Sequence, residues 1–143
     1  MKRLVRSVLL LAGLFAFSGC VVHVNDAGSE IGQPAADGSI NLGWHLFRKK
    51  GKKEREVYPV GKRHGKFSAI RLTTSNARAQ IKRVVVTFGN GKRFEPKVRR
   101  KMEKNSSTRW IDLPGGKRNI RNVVVVAHSP AKLLAKIEVY GKR

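Results

Sequence analysis

A single cysteine, Cys20, in 143 residues excludes an intramolecular disulfide framework and a thiolate-rich zinc site. Carboxylates are scarce as well. Nine Asp+Glu and four histidines leave little material for acid–base or metal chemistry. Aromatic residues make up only 7% of the chain, and no apolar run approaches the roughly 20 residues that cross a bilayer as a helix. What the chain has in abundance is positive charge: 31 Lys+Arg leave a net +22. Its 41% hydrophobic content still suffices for a core, so the charge does not mark a wholly disordered chain. The length fits one ordinary domain.

The chain opens with Lys2, Arg3 and Arg6, followed by the apolar run Val8–Phe17 and then small residues. This is the layout of a secretory signal with a cleavage region. The tetrad Phe17-Ser18-Gly19-Cys20 resembles the lipobox of bacterial lipoproteins, with Phe17 where Leu is usual. The resemblance implies that Cys20 becomes the lipidated first residue of the mature chain, with more than one acyl chain anchoring it firmly in the membrane. By resemblance to bacterial sorting rules, Val21 rather than Asp after the cysteine implies the outer membrane, facing the periplasm. Residues 21–43 hold no Lys or Arg and no persistent apolar period. The organisation expected is a signal peptide over 1–19, the lipidated cysteine and a flexible tether over 20–43, and a basic domain over 44–143. Such a tether has a reach of roughly 25 Å.

From Trp44 onward, 28 basic side chains face 6 acidic ones. Short runs of alternating apolar and polar residues, separated by turn residues, predict strands near 44–48, 56–60, 66–74, 79–89, 92–99, 109–113, 119–128 and 132–140. Asn90-Gly91 suggests a type I′ hairpin, and the four valines Val123–Val126 suggest a strand covered on both faces. Residues 99–108 carry no clear pattern. The fold class expected is all-β: an antiparallel β-sandwich of about eight strands, jelly-roll (discoidin-like) or Ig-like.

The stretches Gly65-Lys66-Phe67-Ser68-Ala69-Ile70-Arg71-Leu72, Val84–Gly91, Ile111-Asp112-Leu113-Pro114-Gly115 and Asn119–Val126 are similar to a small family of exported bacterial β-sandwich proteins without assigned function. The resemblance implies a fold and an envelope location, and it brings no catalytic or ligand-binding residues.

His23, His45, His64 and His128 show no metal-ligand spacing, so no metal and no cofactor are expected. Asp112 has no acid or His beside it in sequence and reads as a turn residue. Ser106 and Ser107 lack a nucleophile-elbow context, and Gly89-Asn90-Gly91 is not followed by a helix that would make it a phosphate loop. The chain therefore reads as non-enzymatic.

The cations, by contrast, are clustered. Arg48, Lys49, Lys50, Lys52, Lys53 and Arg55 form one run; Lys62 and Arg63 begin a second; Lys97, Arg99, Arg100 and Lys101 form a third; Lys117 and Arg118 flank Pro114-Gly115-Gly116. Solubility needs a net charge of only about 2–8. The surplus points to an anionic envelope component: lipopolysaccharide, anionic lipid or a cell-wall polymer. Nucleic acid meets the same charge rule, but export removes the protein from cellular DNA, and Trp44, Phe47, Phe67, Phe88, Trp110 and Tyr140 read as core rather than stacking platforms. The alternative is a structural or interaction module that docks another envelope protein. A third reading makes the charge a habitat adaptation. Oligomeric state is not legible.

Overall fold

The computed structural model describes residue 32 and residues 34–48, 51–130 and 134–143. The signal region, Cys20 and most of the expected tether lie outside the described residues, as do Lys49 and Lys50. Eleven strands are present among the described residues: β1 (Ile40–Phe47), β2 (Glu54–Pro59), β3 (Lys66–Phe67), β4 (Ala69–Ser75), β5 (Ala79–Phe88), β6 (Arg93–Phe94), β7 (Arg100–Met102), β8 (Ser106–Ser107), β9 (Ile111–Asp112), β10 (Arg118–His128) and β11 (Ala135–Lys142). All pairings are antiparallel. One sheet runs β1-β11-β4-β8 with β9 also on β4, and the other runs β2-β10-β5-β6 with β3 on β10 and β7 on β5. We call them the β11 sheet and the β10 sheet after their central strands.

The period-two pattern of the long strands explains the sandwich. Ile137 and Val139 of β11, Ile70 and Leu72 of β4, Ile81, Val84 and Val86 of β5, and Val123 and Val125 of β10 are buried in one apolar cluster shared by both sheets. Burying each such side chain contributes roughly 1.5–3 kcal/mol. Few polar atoms enter that layer. Tyr58 donates its hydroxyl to the Ile137 carbonyl of the opposite sheet at 3.3 Å, and burial pushes its phenol pKa up, with Glu56 and Glu138 adding to the shift. Thr108 is buried, its Oγ1 accepting from the Leu72 amide.

Several expectations need correction. The first strand begins at Ile40, not Trp44: Ile40 and Leu42 are buried, and a register shift between Asn41 and Gly43 breaks the alternation that would have revealed them. The last residues of the expected tether thus belong to the sandwich. The expected strand over 66–74 is two strands. Phe67 pairs in the β10 sheet and Ala69 in the β11 sheet, so the slip in the pattern at Ser68 marks the place where the chain changes layer. Ser68 bonds the Lys142 carbonyl through both its amide and its hydroxyl. The expected strand over 92–99 shrinks to β6, because Pro96 cannot donate to the ladder. The segment 99–108, which had no pattern, supplies β7 and β8. Two- and three-residue strands of this kind account for eleven strands against about eight expected.

The hairpin at Gly89-Asn90-Gly91 is present but is not type I′. Only Gly91 has positive φ, at 82°. The Gly91 amide donates to Phe88, the Phe88 amide to Lys92, and the Asn90 side chain accepts from the Lys92 amide. This is a three-residue loop with a glycine in the left-handed region.

Gly141 is fixed by a different constraint. Its backbone faces the Phe67 ring, and a Cβ there would lie 2.5 Å from Phe67 Cδ1 and 3.1 Å from Leu42 Cδ1. Both neighbours are fully buried or nearly so, so they cannot give way. Gly141→Ala is expected to cost about 1–3 kcal/mol, read as a lower urea midpoint with an unchanged slope.

Candidate anion-binding face

The outward positions of the two sheets differ in charge. On the β11 sheet, Arg71 of β4 and Lys136 and Lys142 of β11 point away from the core. Two of them are ion-paired there, with Glu138 and Asp37, and Lys142 lies 6.0 Å from the Trp110 ring. Lys136 Nζ is 2.8 Å from Glu138, and Arg71 donates to Asp37 at 2.8 Å. Asp37 accepts from the hydroxyl and amide of Ser39 and from Arg71, which holds its carboxyl down to about 2.

The expectation that Trp44, Trp110 and Tyr140 are core residues is overturned on this same face. All three are half-buried and outward. Arg71 stacks 4.5 Å from the Trp110 ring and 5.7 Å from Tyr140, and Lys136 lies 5.1 Å from Trp44. Their rings are covered by cations of the same sheet, a favourable contact for both partners. Phe47, Phe67 and Phe88 are buried as expected.

The β10 sheet is built differently. Inward residues Ile81 and Val84 are separated by two residues, and so are Ile120 and Val123. Both intervals coincide with register shifts in the β5–β10 ladder. Each is a bulge in which two residues oppose one, and the extra residues are Lys82 and Arg121. Their neighbours Arg83 and Asn122 line the outer groove.

The ladder then sets three rows across β2, β10 and β5: Arg55–Val126–Arg83, Val57–Val124–Val85 and Pro59–Asn122–Thr87. Arg93 of β6 extends the last row beside Thr87. By strand spacing the rows are about 10 Å wide, and the first and last are about 14 Å apart. Together they floor an open groove of about 620 Å³ with Arg55, Arg83, Arg93 and Arg121 and one carboxylate, Glu95, around it. The expected cover on both faces of Val123–Val126 is therefore half right: the second sheet covers one face, and the other is this groove.

At the Arg83 end lies a second depression of about 460 Å³, lined by Lys53, Gln80, Ile81, Lys82, Arg99, Arg100 and Lys101. Five cations line it and no carboxylate does. A further recess containing Lys82, Arg83, Glu95, Pro96, Lys97 and Arg99 joins it to the groove. Glu95 is the acid of this belt. It takes a bidentate pair from Arg83, at 2.7 and 2.6 Å, which lowers its own pKa and raises that of Arg83.

The structure thus brings together Lys53 of the first run with Arg99, Arg100 and Lys101 of the third, and sets Arg55 and Lys97 beside them. Other expected cations lie elsewhere. Arg48 follows β1, its amide donating to Glu54. Lys52 is an exposed loop residue, and Lys62 and Arg63 occupy a single 3₁₀ turn. Lys117 is exposed, and Arg118 is engaged, 4.2 Å from the Phe88 ring with a bond to the Pro114 carbonyl. Sequence reasoning missed Lys82 and Arg83, which stand as an isolated pair inside an apolar strand. The readable signal was that pair itself, a charged dipeptide where one residue would have kept the alternation. Asp112, expected at a turn, is in β9 opposite Ala69. Among the described residues no group of three or more His, Cys, Asp or Glu is placed to hold a metal.

The fold is an all-β sandwich of two antiparallel sheets. Within that class the chain belongs to the family described as Domain of unknown function (DUF2541), whose model matches residues 8–141. No curated protein and no solved structure matches the chain significantly.

His128 reports on the five-cation depression. It pairs with Gln80 across the ladder, its Nδ1 is buried without a hydrogen-bond partner, and its pKa is lowered by burial and by Lys82 and Lys53. A folded-state pKa below the unfolded value makes folding lose stability as pH falls through about 6.5. An anion seated between Lys53 and Lys82 offsets part of that repulsion. The His128 ring titration, followed by NMR, should therefore move to higher pH in sulfate than in chloride at equal ionic strength. Coincident curves would contradict an anion at this position.

Proposed function

We propose that this chain is an exported protein, lipid-anchored at Cys20 in the outer membrane and facing the periplasm. In this reading it holds an anionic envelope component on the outer surface of the β10 sheet and performs no catalysis. The observation that carries the reading is the asymmetry of the two faces. On the β11 sheet Arg71 and Lys136 are paired with Asp37 and Glu138, whereas five cations without a carboxylate line one depression of the β10 sheet. Arginine forks suit phosphate and carboxylate oxygens, and lysines add point charge. The domain from Trp44 onward, with 28 cations against 6 carboxylates, also draws anionic polymers from a distance. Lipopolysaccharide, anionic lipid and cell-wall polymer all meet this chemistry. Nucleic acid meets it too and is disfavoured by export alone.

The test compares the full chain with two variants of equal charge. One neutralises the depression (Lys53→Gln, Lys82→Gln, Lys101→Gln), and the other neutralises loops away from it (Lys62→Gln, Arg63→Gln, Lys117→Gln). Binding to lipopolysaccharide, anionic vesicles, cell-wall material and DNA is measured across salt. At about 1 kcal/mol per cation near an anionic surface, the first variant should lose roughly a hundredfold in affinity. The second should lose far less. Equal losses would make the charge generic. Absence of binding to every polyanion would leave the docking of an envelope protein as the better account.

A further inference from the structure

The valine rows add something that charge alone does not require. A site for a purely ionic polymer needs no apolar floor. Yet Val57, Val85 and Val124 stand abreast at the centre of the groove, with Val126 behind them. Val57 is 37% exposed. Arginines stand at both ends, Arg55 and Arg83 on one side and Arg93 and Arg121 on the other. In the polar row, Asn122 Oδ1 is buried and accepts no hydrogen bond, an acceptor capacity left unfilled at the groove floor.

We infer that this groove binds a single phosphate-bearing acyl lipid, with phosphate oxygens on the arginines and an acyl chain along the valines. The inference rests on the anion-binding reading above and specifies its ligand. Charge complementarity selects this occupant. A second copy of the chain, face to face, would set arginine rims against each other with only Glu95 to offset them. An uncharged apolar peptide would leave three arginines without partners. A phospholipid offers both parts of the match. A volume of about 620 Å³ lies in the range of small-ligand sites.

The experiment uses two probes with the same headgroup. Dihexanoyl phosphatidic acid, below its micelle concentration, and glycerol 3-phosphate are titrated calorimetrically into the full chain. The acyl form should bind at least tenfold more tightly. In the variant Val57→Ser/Val85→Thr that preference should vanish while glycerol 3-phosphate affinity stays unchanged. In Arg55→Gln/Arg93→Gln/Arg121→Gln both ligands should weaken at least tenfold. Should the double valine variant fail to fold, as judged by circular dichroism, Val126→Thr repeats the test on the same floor with nearly the same shape.

Equal binding of the two probes to the wild-type chain would overturn the inference. So would a preference that survives in the valine variants, which would put the acyl chain outside this groove. If neither probe binds while lipopolysaccharide or cell-wall polymer is still held, the lipid site is wrong and the anion-binding reading stands. If no polyanion binds either, both fail.

Discussion

A chain with this much positive charge can fold only if every cation leaves the layer between its sheets. Burying an unpaired ammonium or guanidinium costs several kcal/mol even after relaxation, and six carboxylates after Trp44 cannot pair with 28 cations. The inward positions are accordingly apolar almost without exception, and polar groups among them such as Tyr58 and Thr108 have defined partners. The bulges at Lys82 and Arg121 follow from the same constraint. Where two polar residues fall between inward ones, the strand admits an extra residue rather than turning a cation inward.

That constraint says where the charge cannot go, and the distribution of acids decides what the remaining surface becomes. Glu138 and Asp37 pair with cations of the β11 sheet, whose guanidinium and ammonium groups also lie over Trp44, Trp110 and Tyr140. Those cations have local partners. On the β10 sheet Glu95 is engaged with Arg83, while Lys53, Lys82, Arg99, Arg100 and Lys101 converge without a carboxylate between them. Like charges gathered in this way repel one another and lower stability unless counterions or a ligand neutralise them. An anionic partner would therefore stabilise the folded domain as it binds.

Much of this architecture was legible in the residues, for reasons of period. β11 alternates cleanly, β5 alternates from Val84 onward and β10 is marked by its valine run, so all three were located to within a few residues, and the two-sheet class follows from them. What escaped was set by long-range pairing. Ser68 reads as a flaw in one strand until its two sides are seen to join different sheets. Ile40 and Leu42 are masked by a register shift and by the Gly- and Asp-rich stretch before them. Basic runs were visible as runs, but the convergence of Lys53 with Arg99–Lys101 depends on β2 and β7 flanking the same end of one sheet. Lys82 and Arg83, belonging to no run, could not be weighted by clustering. The aromatic side chains show the limit of composition: of the six read as core, Trp44, Trp110 and Tyr140 face outward beneath cations.

The central claim is that anions gather on one face of the sandwich and not on all of its basic loops. The most direct measurement is a two-dimensional amide NMR titration of the isotopically labelled chain with pyrophosphate. The account predicts shift changes confined to the residues around Lys53–Val57, Gln80–Val85, Arg99–Lys101 and Arg121–Val126, with Lys136–Lys142 and the Lys62–His64 turn unmoved. Changes spread evenly over every basic loop, or centred on the β11 sheet, would contradict it.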